Sequence, residues 1–249
     1  GAINNGKGAE IGNINGSFVG NEAGQGVGGG SGGAIYNDSS STSKGKIGDI
    51  TANFVANVAK ADGGAVYNNG YGEMKNITGD FVGNYANNSG GAIYNKSYGR
   101  IQDINGNFID NTAVSNGGAI YNLYYGNINE IHGNFVANTA KLKGGAIYNE
   151  GTINDINGDF IANKMTNTTT DSDGGTIYNG GNGKINSIHG NLNGNTAAGS
   201  GAAVKNSGEI GNISANFIGN YADKDGGAIY NDINKKIGDV TGDFIGNSV

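Results

Sequence analysis

Residues 108–122 read FIDNTAVSNGGAIYN, and residues 135–149 read FVANTAKLKGGAIYN, 27 positions further along the chain. Every phenylalanine of the chain opens such a segment and is followed three residues later by asparagine. A ninth copy has Leu192 in place of phenylalanine and keeps Asn195. The eight phenylalanines are Phe18, Phe54, Phe81, Phe108, Phe135, Phe160, Phe217 and Phe244. A residue type confined to one position of a fixed period indicates a structural unit that is stacked many times.

The pattern within one repeat is typical of short β-strands joined by glycine-rich turns. Ile50, Ala52 and Phe54 alternate with Thr51 and Asn53, and a period of two predicts a strand. Each repeat holds three extended pieces, namely the Gly-Gly-Ala-Ile-Tyr-Asn piece, a pair of aliphatic residues three apart and the Phe-x-x-Asn piece. Three strands and three corners per repeat predict an all-β, single-stranded parallel β-helix of nine coils, a rod about 40 Å long. The alternative is two narrower coils per repeat.

In-register stacking would place each phenylalanine above the next and each asparagine amide within hydrogen-bonding distance of its neighbours. We therefore expect the Phe-x-x-Asn positions to form a structural ladder rather than a ligand site. The ladder residues of the central coils are Phe54, Asn57, Phe81, Asn84, Phe108, Asn111, Phe135 and Asn138. The column after phenylalanine is also aliphatic, so the pattern leaves open whether Phe or the following Val or Ile points inward.

Composition excludes several classes of protein. The repeat runs from end to end, so residues 1–249 are interpreted as one continuous domain. The chain has no Cys, which excludes disulfides and thiolate metal sites. Its net charge is −6 with scattered basic residues, whereas nucleic-acid binding needs a basic stripe. No apolar run approaches the roughly 18 residues of a transmembrane helix. The start at Gly1, without Met or a signal peptide, predicts a processed product or an excised segment.

The alternation of Gly-Gly-Ala-Ile with Phe-x-x-Asn resembles the repeats of the chlamydial-type polymorphic outer-membrane proteins and related autotransporter passengers. Clear copies of the first motif are Gly32–Ile35, Gly90–Ile93, Gly117–Ile120 and Gly144–Ile147. The resemblance implies a right-handed β-helix displayed outside a Gram-negative cell, commonly acting in adhesion. The family's C-terminal translocator is absent from this chain, and the Tyr after Gly-Gly-Ala-Ile is more regular than the family pattern requires. The motifs mark coils, so no catalytic residue and no cofactor are expected.

A tyrosine follows Gly-Gly-Ala-Ile in most coils and would point outward if the preceding isoleucine points inward. Five consecutive members, Tyr36, Tyr67, Tyr94, Tyr121 and Tyr148, are candidate ligand-binding residues, flanked by Tyr98, Tyr124 and Tyr125. Such a stripe could contact glycans or a partner protein. The alternative is a stacked ladder that stabilises the sheet.

Other polar positions give weaker indications of a site. The column Asp49, Asn76, Asp103, Glu130, Asp155, Ser187, Asn212 and Asp239 offers oxygen atoms, but we expect solvated corner polarity and no metal site. His132 and His189 would lie two coils apart, about 10 Å, too far for joint proton transfer. Asp171 and Asp173 share one loop without an evident partner.

Longer joints interrupt the period at 21–33, 38–44 and 164–173, and loops that protrude from one coil often carry the specific function of repeat proteins. The alternative is neutral variation at tolerant corners.

The chain is therefore interpreted as a non-enzymatic adhesin or display stalk, extracellular or on a bacterial cell surface, that contacts a host or neighbouring-cell surface protein or glycan. A second reading is a structural fibre, because the two chain ends lie near the same phase of the repeat and could associate end to end. A polysaccharide-active enzyme is the third.

Overall fold

A computed structural model describes residues 1–24, 29–167 and 174–249. These residues form strands and turns, and the strands belong to three parallel sheets of nine, eighteen and eight strands. The chain visits the first, second and third sheets in turn and then begins the next coil. The result is a parallel β-solenoid with eight complete coils and a ninth that meets the third sheet only through a bridge between Tyr221 and Ser248. The predicted fold class is confirmed.

The strands follow one order in every coil. The first sheet consists of Ile3–Asn5, Ile35–Asn37, Val66–Asn68, Ile93–Asn95, Ile120–Asn122, Ile147–Asn149, Ile177–Asn179, Val204–Asn206 and Ile229–Asn231. The second consists of Glu10–Ile11, Ile14–Val19, Lys46–Ile47, Ile50–Val55, Glu73–Met74, Ile77–Thr78, Phe81–Val82, Arg100–Asn105, Phe108–Ile109, Asn127–His132, Phe135–Val136, Thr152–Asn157, Phe160–Ile161, Lys184–Asn193, Glu209–Ile218, Lys236–Ile237, Val240–Thr241 and Phe244–Ile245. The third consists of Glu22–Ala23, Val58–Ala59, Tyr85–Ala86, Thr112–Ala113, Thr139–Ala140, Lys164–Met165, Thr196–Ala197 and Tyr221–Ala222.

Phe54 lies in the same strand as Ile50, as the alternation of Ile50, Ala52 and Phe54 predicts. The Phe-x-x-Asn piece, counted as a third extended piece of the repeat, therefore does not form a wall of its own. The sharp turn comes two residues after Phe54, at Ala56, whose φ of 53° is left-handed. Asn57 follows that turn, and the third sheet begins at Val58.

Stacking of equal residues builds the core. Phe81 lies between Phe54 and Phe108 in register, and these rings are fully buried. Successive phenylalanine rings are nearly parallel, with centroids 4.6–5.1 Å apart. The side chain of Val82, by contrast, is only partly buried. Phe therefore points inward and the following aliphatic residue does not, which settles the orientation that the sequence left open.

One asparagine ladder lies at the corner between the second and third sheets. Asn111 illustrates its geometry: Oδ1 accepts hydrogen bonds from the backbone N–H and the side-chain amide of Asn84, at 3.0 and 2.9 Å. Its Nδ2 donates to the carbonyl of Phe81 and to Oδ1 of Asn138, at 2.9 and 3.0 Å. Each buried amide thus joins neighbouring coils and uses its donors and acceptor fully.

A second ladder lies at the corner between the first and second sheets. Asn95 donates from Nδ2 to Oδ1 of Asn122 at 2.9 Å and also to the carbonyl of Gly99 in its own corner. The amide-to-amide distances along this ladder are 2.7–2.9 Å. Its members are Asn5, Asn37, Asn68, Asn95, Asn122, Asn149, Asn179, Asn206 and Asn231.

Replacing Phe135 with Ala should lower the free energy of unfolding by about 3–5 kcal/mol, because it removes a ring stacked on both sides and leaves a cavity in mid-rod. Val136→Ala is the matched control on the outer side of the same strand, and its expected cost is about 1 kcal/mol. Urea denaturation of both variants measures the difference. Equal losses would contradict the inward position of the ring.

Replacing Asn111 with Ala should cost about 2–4 kcal/mol, because the buried N–H of Asn84 loses its acceptor and the chain of amides is interrupted. Asn134→Ala is the control, since Asn134 belongs to an exposed row of similar bonds and should cost about 0.5 kcal/mol. The same denaturation experiment compares them, and a loss for N111A no larger than that for N134A would argue against the ladder as the stabilising element.

Candidate functional site

The predicted tyrosine stripe is a continuous stack on the outer face of the first sheet. We call it the sheet column, and it comprises Tyr36, Tyr67, Tyr94, Tyr121, Tyr148 and Tyr178. Neighbouring rings are nearly parallel, with centroids 4.7–5.1 Å apart. Each tyrosine lies between a buried aliphatic residue and a buried asparagine of its strand, so strand alternation places it away from the core.

The column points outward as predicted, yet several of its members are largely covered. Tyr67, Tyr94 and Tyr148 are only 6–9% exposed, whereas Tyr36 and Tyr121 are partly exposed. Residues of the corner that follows the first sheet bond to the tyrosine hydroxyls. The Tyr148 hydroxyl donates to Oε1 of Glu150 at 2.8 Å, and Nδ2 of Asn69 donates to the Tyr36 hydroxyl at 3.2 Å. The predicted ligand-binding role of Tyr36, Tyr67, Tyr94, Tyr121 and Tyr148 stays a prediction.

Burial also changes the acid–base properties of the column. It raises the pKa values of Tyr67, Tyr94, Tyr121 and Tyr148 well above the usual range, and nearby carboxylates, including Asp62 and Glu150, act in the same direction. These hydroxyls therefore remain protonated further into the alkaline range than an exposed tyrosine does.

A second aromatic stack lies at the corner between the first and second sheets. We call it the corner stack, and it comprises Tyr71, Tyr98 and Tyr125. Their ring centroids are 4.7 and 4.9 Å apart. Tyr98 is 44% exposed and Tyr125 is 72% exposed, so this stack presents far more aromatic surface to solvent than the sheet column does.

The corner stack is held in an unfavourable backbone conformation. The φ angles of Tyr71, Tyr98 and Tyr125 are 65°, 64° and 58°, in the left-handed region that bulky residues avoid. The first and last coils have Gly8 and Asn234 at the same position, and these are the residue types that tolerate it. Each tyrosine there costs about 1–2 kcal/mol. Such strain persists where the surrounding structure determines the conformation, and it is often associated with function.

The stack ends at Tyr125, and the face of this ring that points toward the following coil is open. The corner that holds Tyr125 has four residues, 123–126, whereas the next corner has only Glu150 and Gly151. No tyrosine follows in that corner to cover the Tyr125 ring. Arg100 begins the strand directly after the Tyr98 corner and is exposed. Among the described residues, its guanidinium makes no ion pair or hydrogen bond.

Other candidate positions are not brought together into a site. The described residues include no cluster of three or more metal-ligating side chains. In the column that runs from Asp49 to Asp239, Nδ2 of Asn76 donates to the Asp49 carboxylate at 3.0 Å. That carboxylate therefore already has a hydrogen-bond partner in the neighbouring coil. His132 and His189 lie in one column with Asn157 between them, two coils apart as predicted.

The three longer joints differ in what the structure describes. The 38–44 joint is a described corner, and Lys44 in it pairs with Glu73 at 2.7 Å. Residues 25–28 of the first joint lie outside the described residues. So do residues 168–173 of the third joint, including Asp171 and Asp173.

Sequence reasoning missed two features of the fold. The first is the asparagine ladder of the Gly-Gly-Ala-Ile-Tyr-Asn piece. The second is the corner stack as a unit, although a Tyr-Gly pair recurs 27 residues apart at Tyr71, Tyr98 and Tyr125. That spacing equals the coil period and predicts stacking. Rules of local conformation instead exclude tyrosine from such a turn.

The fold and the surface define a parallel β-solenoid repeat protein with aromatic stacks on its outer wall. The family model of the Chlamydia polymorphic membrane protein repeat matches the chain at residues 79–96, 105–123 and 214–232. Each match covers one Phe-x-x-Asn motif and the Gly-Gly-Ala-Ile-like motif after it, which confirms the resemblance seen in the sequence. No curated protein and no solved structure matches the chain. The described residues include no helix that could span a membrane. The repeats and the solenoid together fit a surface protein of the autotransporter-passenger kind.

Asp62, which acts on the sheet column, gives a pH prediction. Burial raises its pKa above 3.8, although Nδ2 of Asn88 and the N–H of Ser89 donate to its carboxylate. When the pKa of an acid is higher in the folded state than in the unfolded state, the folded state loses stability as the pH rises from the unfolded-state pKa through the folded-state pKa. Asp62→Asn keeps an acceptor oxygen and loses the charge, so it should raise the unfolding free energy at about pH 7 and change nothing near pH 3. Denaturant titrations at both pH values test this, and a destabilised variant at neutral pH would contradict it.

Proposed function

We propose that this chain is the adhesive part of a cell-surface or secreted bacterial passenger, a non-enzymatic rod that attaches to a host or neighbouring-cell surface. The corner stack carries this proposal. Two aromatic rings, those of Tyr98 and Tyr125, are displayed to solvent at a position where Gly or Asn would be less strained, as Gly8 and Asn234 show. The fold does not need these rings for its core, since they lie outside the buried apolar cluster.

The rod itself supports this reading. Its polymorphic membrane protein repeats and its solenoid fold fit a surface passenger. Exposed aromatic residues on a rigid scaffold are favourable contact residues, because they contribute a large area at low cost in side-chain entropy. In this proposal the sheet column reaches a ligand mainly through Tyr36 and Tyr121, whose side chains remain partly exposed.

Attachment should depend on the corner stack. Beads coated with the purified chain should bind cultured host cells or neighbouring bacteria saturably, and the double variant Tyr98→Asn/Tyr125→Asn should reduce binding about ten-fold or more. Asn is accepted at this backbone position, as Asn234 shows, so the variant should remain folded.

The matched control is Tyr85→Ser/Tyr221→Ser, which removes two exposed tyrosines of the third sheet. Its attachment should equal that of the unmodified chain. Unchanged attachment of the corner variant would argue against the stack as the contact surface. Equal loss in both variants would point to non-specific aromatic adhesion.

A further inference from the structure

The corner that holds Tyr98 and Tyr125 combines an open aromatic face with an exposed cation. Arg100 is the chain's one arginine; among the described residues its guanidinium makes no salt bridge or hydrogen bond, although Arg100 adjoins Glu73 in the sheet and adds to the effect of Lys44 in lowering the pKa of that carboxyl. In the register of the second sheet Arg100 lies directly below Asn127, which follows the Tyr125 corner. The open face of the Tyr125 ring points to the following coil, so a group stacked on it lies about two coil steps, about 10 Å along the rod axis, from the Arg100 coil, with Asn127 between them.

The charge at this corner differs from that of the rest of the protein. The chain has a net charge of −6, yet the Tyr98 corner is bracketed by Lys96 and Arg100. Two acids of the adjacent coils are already engaged. Glu73 accepts from Lys44 at 2.7 Å, and Glu150 accepts from the Tyr148 hydroxyl at 2.8 Å. The local field therefore favours an anionic group beside the tyrosines.

We propose that this corner binds an acidic saccharide, and this inference rests on the adhesive function proposed above. The apolar C–H face of a sugar ring stacks on the open face of Tyr125, as pyranose rings do on aromatic side chains. The carboxylate of a neighbouring sugar in the same oligosaccharide is held by Arg100, whose planar N–H donors match a carboxylate in two parallel hydrogen bonds. Asn127 lies between them and offers both a donor and an acceptor to sugar hydroxyls.

Titration with a hyaluronan hexasaccharide, which carries a carboxylate on alternate sugars, tests the proposal. The chain has no tryptophan, so intrinsic tyrosine fluorescence follows binding directly. We expect saturable binding that Arg100→Lys weakens about ten-fold, since lysine keeps the charge and loses the planar donors. Tyr125→Asn should weaken it about five-fold or more by removing the stacking face. A neutral N-acetylglucosamine hexasaccharide should bind about ten-fold more weakly than hyaluronan.

Lys184→Ala is the matched control. Lys184 occupies the same sheet column as Arg100 and lies in a separate groove with Lys235 and Lys236, without a corner tyrosine. Hyaluronan binding should be unchanged in this variant. An equal loss for K184A and R100K would show general attraction of polyanions and overturn the proposal, as would equal binding of the neutral oligosaccharide.

The outcome can be separated from that of the adhesive function. If no saccharide binds while bead attachment remains and depends on Tyr98 and Tyr125, the partner is a protein and only this inference fails. If saccharide binding is seen while bead attachment is unaffected by the corner variant, the saccharide site stands and the adhesive role fails. Thermal unfolding of every variant confirms that the rod is intact.

Discussion

The hydrogen bond between asparagine amides at equal positions of successive coils is the interaction on which the rest of the structure depends. It recurs at both corners that flank the second sheet, with N···O distances of 2.7–3.1 Å. A buried amide left without partners is costly, so each coil must place its asparagine directly above the one before. A slip of one residue would move Asn95 to the outer face and bring Tyr94 into the core. The stacked phenylalanines and isoleucines keep their register because the amides fix it.

That register also organises the outer surface. The first position of the second sheet carries Glu10, Lys46, Glu73, Arg100, Asn127, Thr152, Lys184, Glu209 and Lys236 in successive coils. Opposite charges adjoin in the first four and the last three of these positions, and such neighbours stabilise a sheet modestly. Arg100 lies beside the corner stack because the buried ladder sets which residues of adjacent coils meet. Core and surface are thus two consequences of one constraint.

The sequence was informative wherever a property repeats and was uninformative wherever a corner departs from the repeat. Periodicity predicted the coils and the stacked Phe and Asn positions, because in-register stacking converts sequence period into spatial contact. Alternation placed Phe54 correctly in one strand with Ile50, but the repeat pattern did not locate the third sheet, because the turn before it depends on the left-handed backbone of Ala56, which alternation does not encode. Periodicity missed the burial of Tyr148, whose hydroxyl donates to the carboxylate of a corner residue, Glu150, because the repeat pattern does not encode such a corner contact. Tyr98 was noticed only as a neighbour, since tyrosine is a poor residue for the turn that it occupies.

The difference between the repeated core and the variable corners explains how a repetitive rod can carry a specific surface. Shortening a corner from four residues to two leaves Asn149 bonded to both Asn122 and Asn179, at 2.9 Å each. The ladder therefore continues while the outer profile changes, and the open face of Tyr125 results from that change. Because the amides and the stacked rings hold each corner at both ends, the chain can keep tyrosines at left-handed φ angles that an isolated turn would avoid. Specificity in such a protein belongs to the corners, and the repeated core supplies the rigidity that keeps their groups in place.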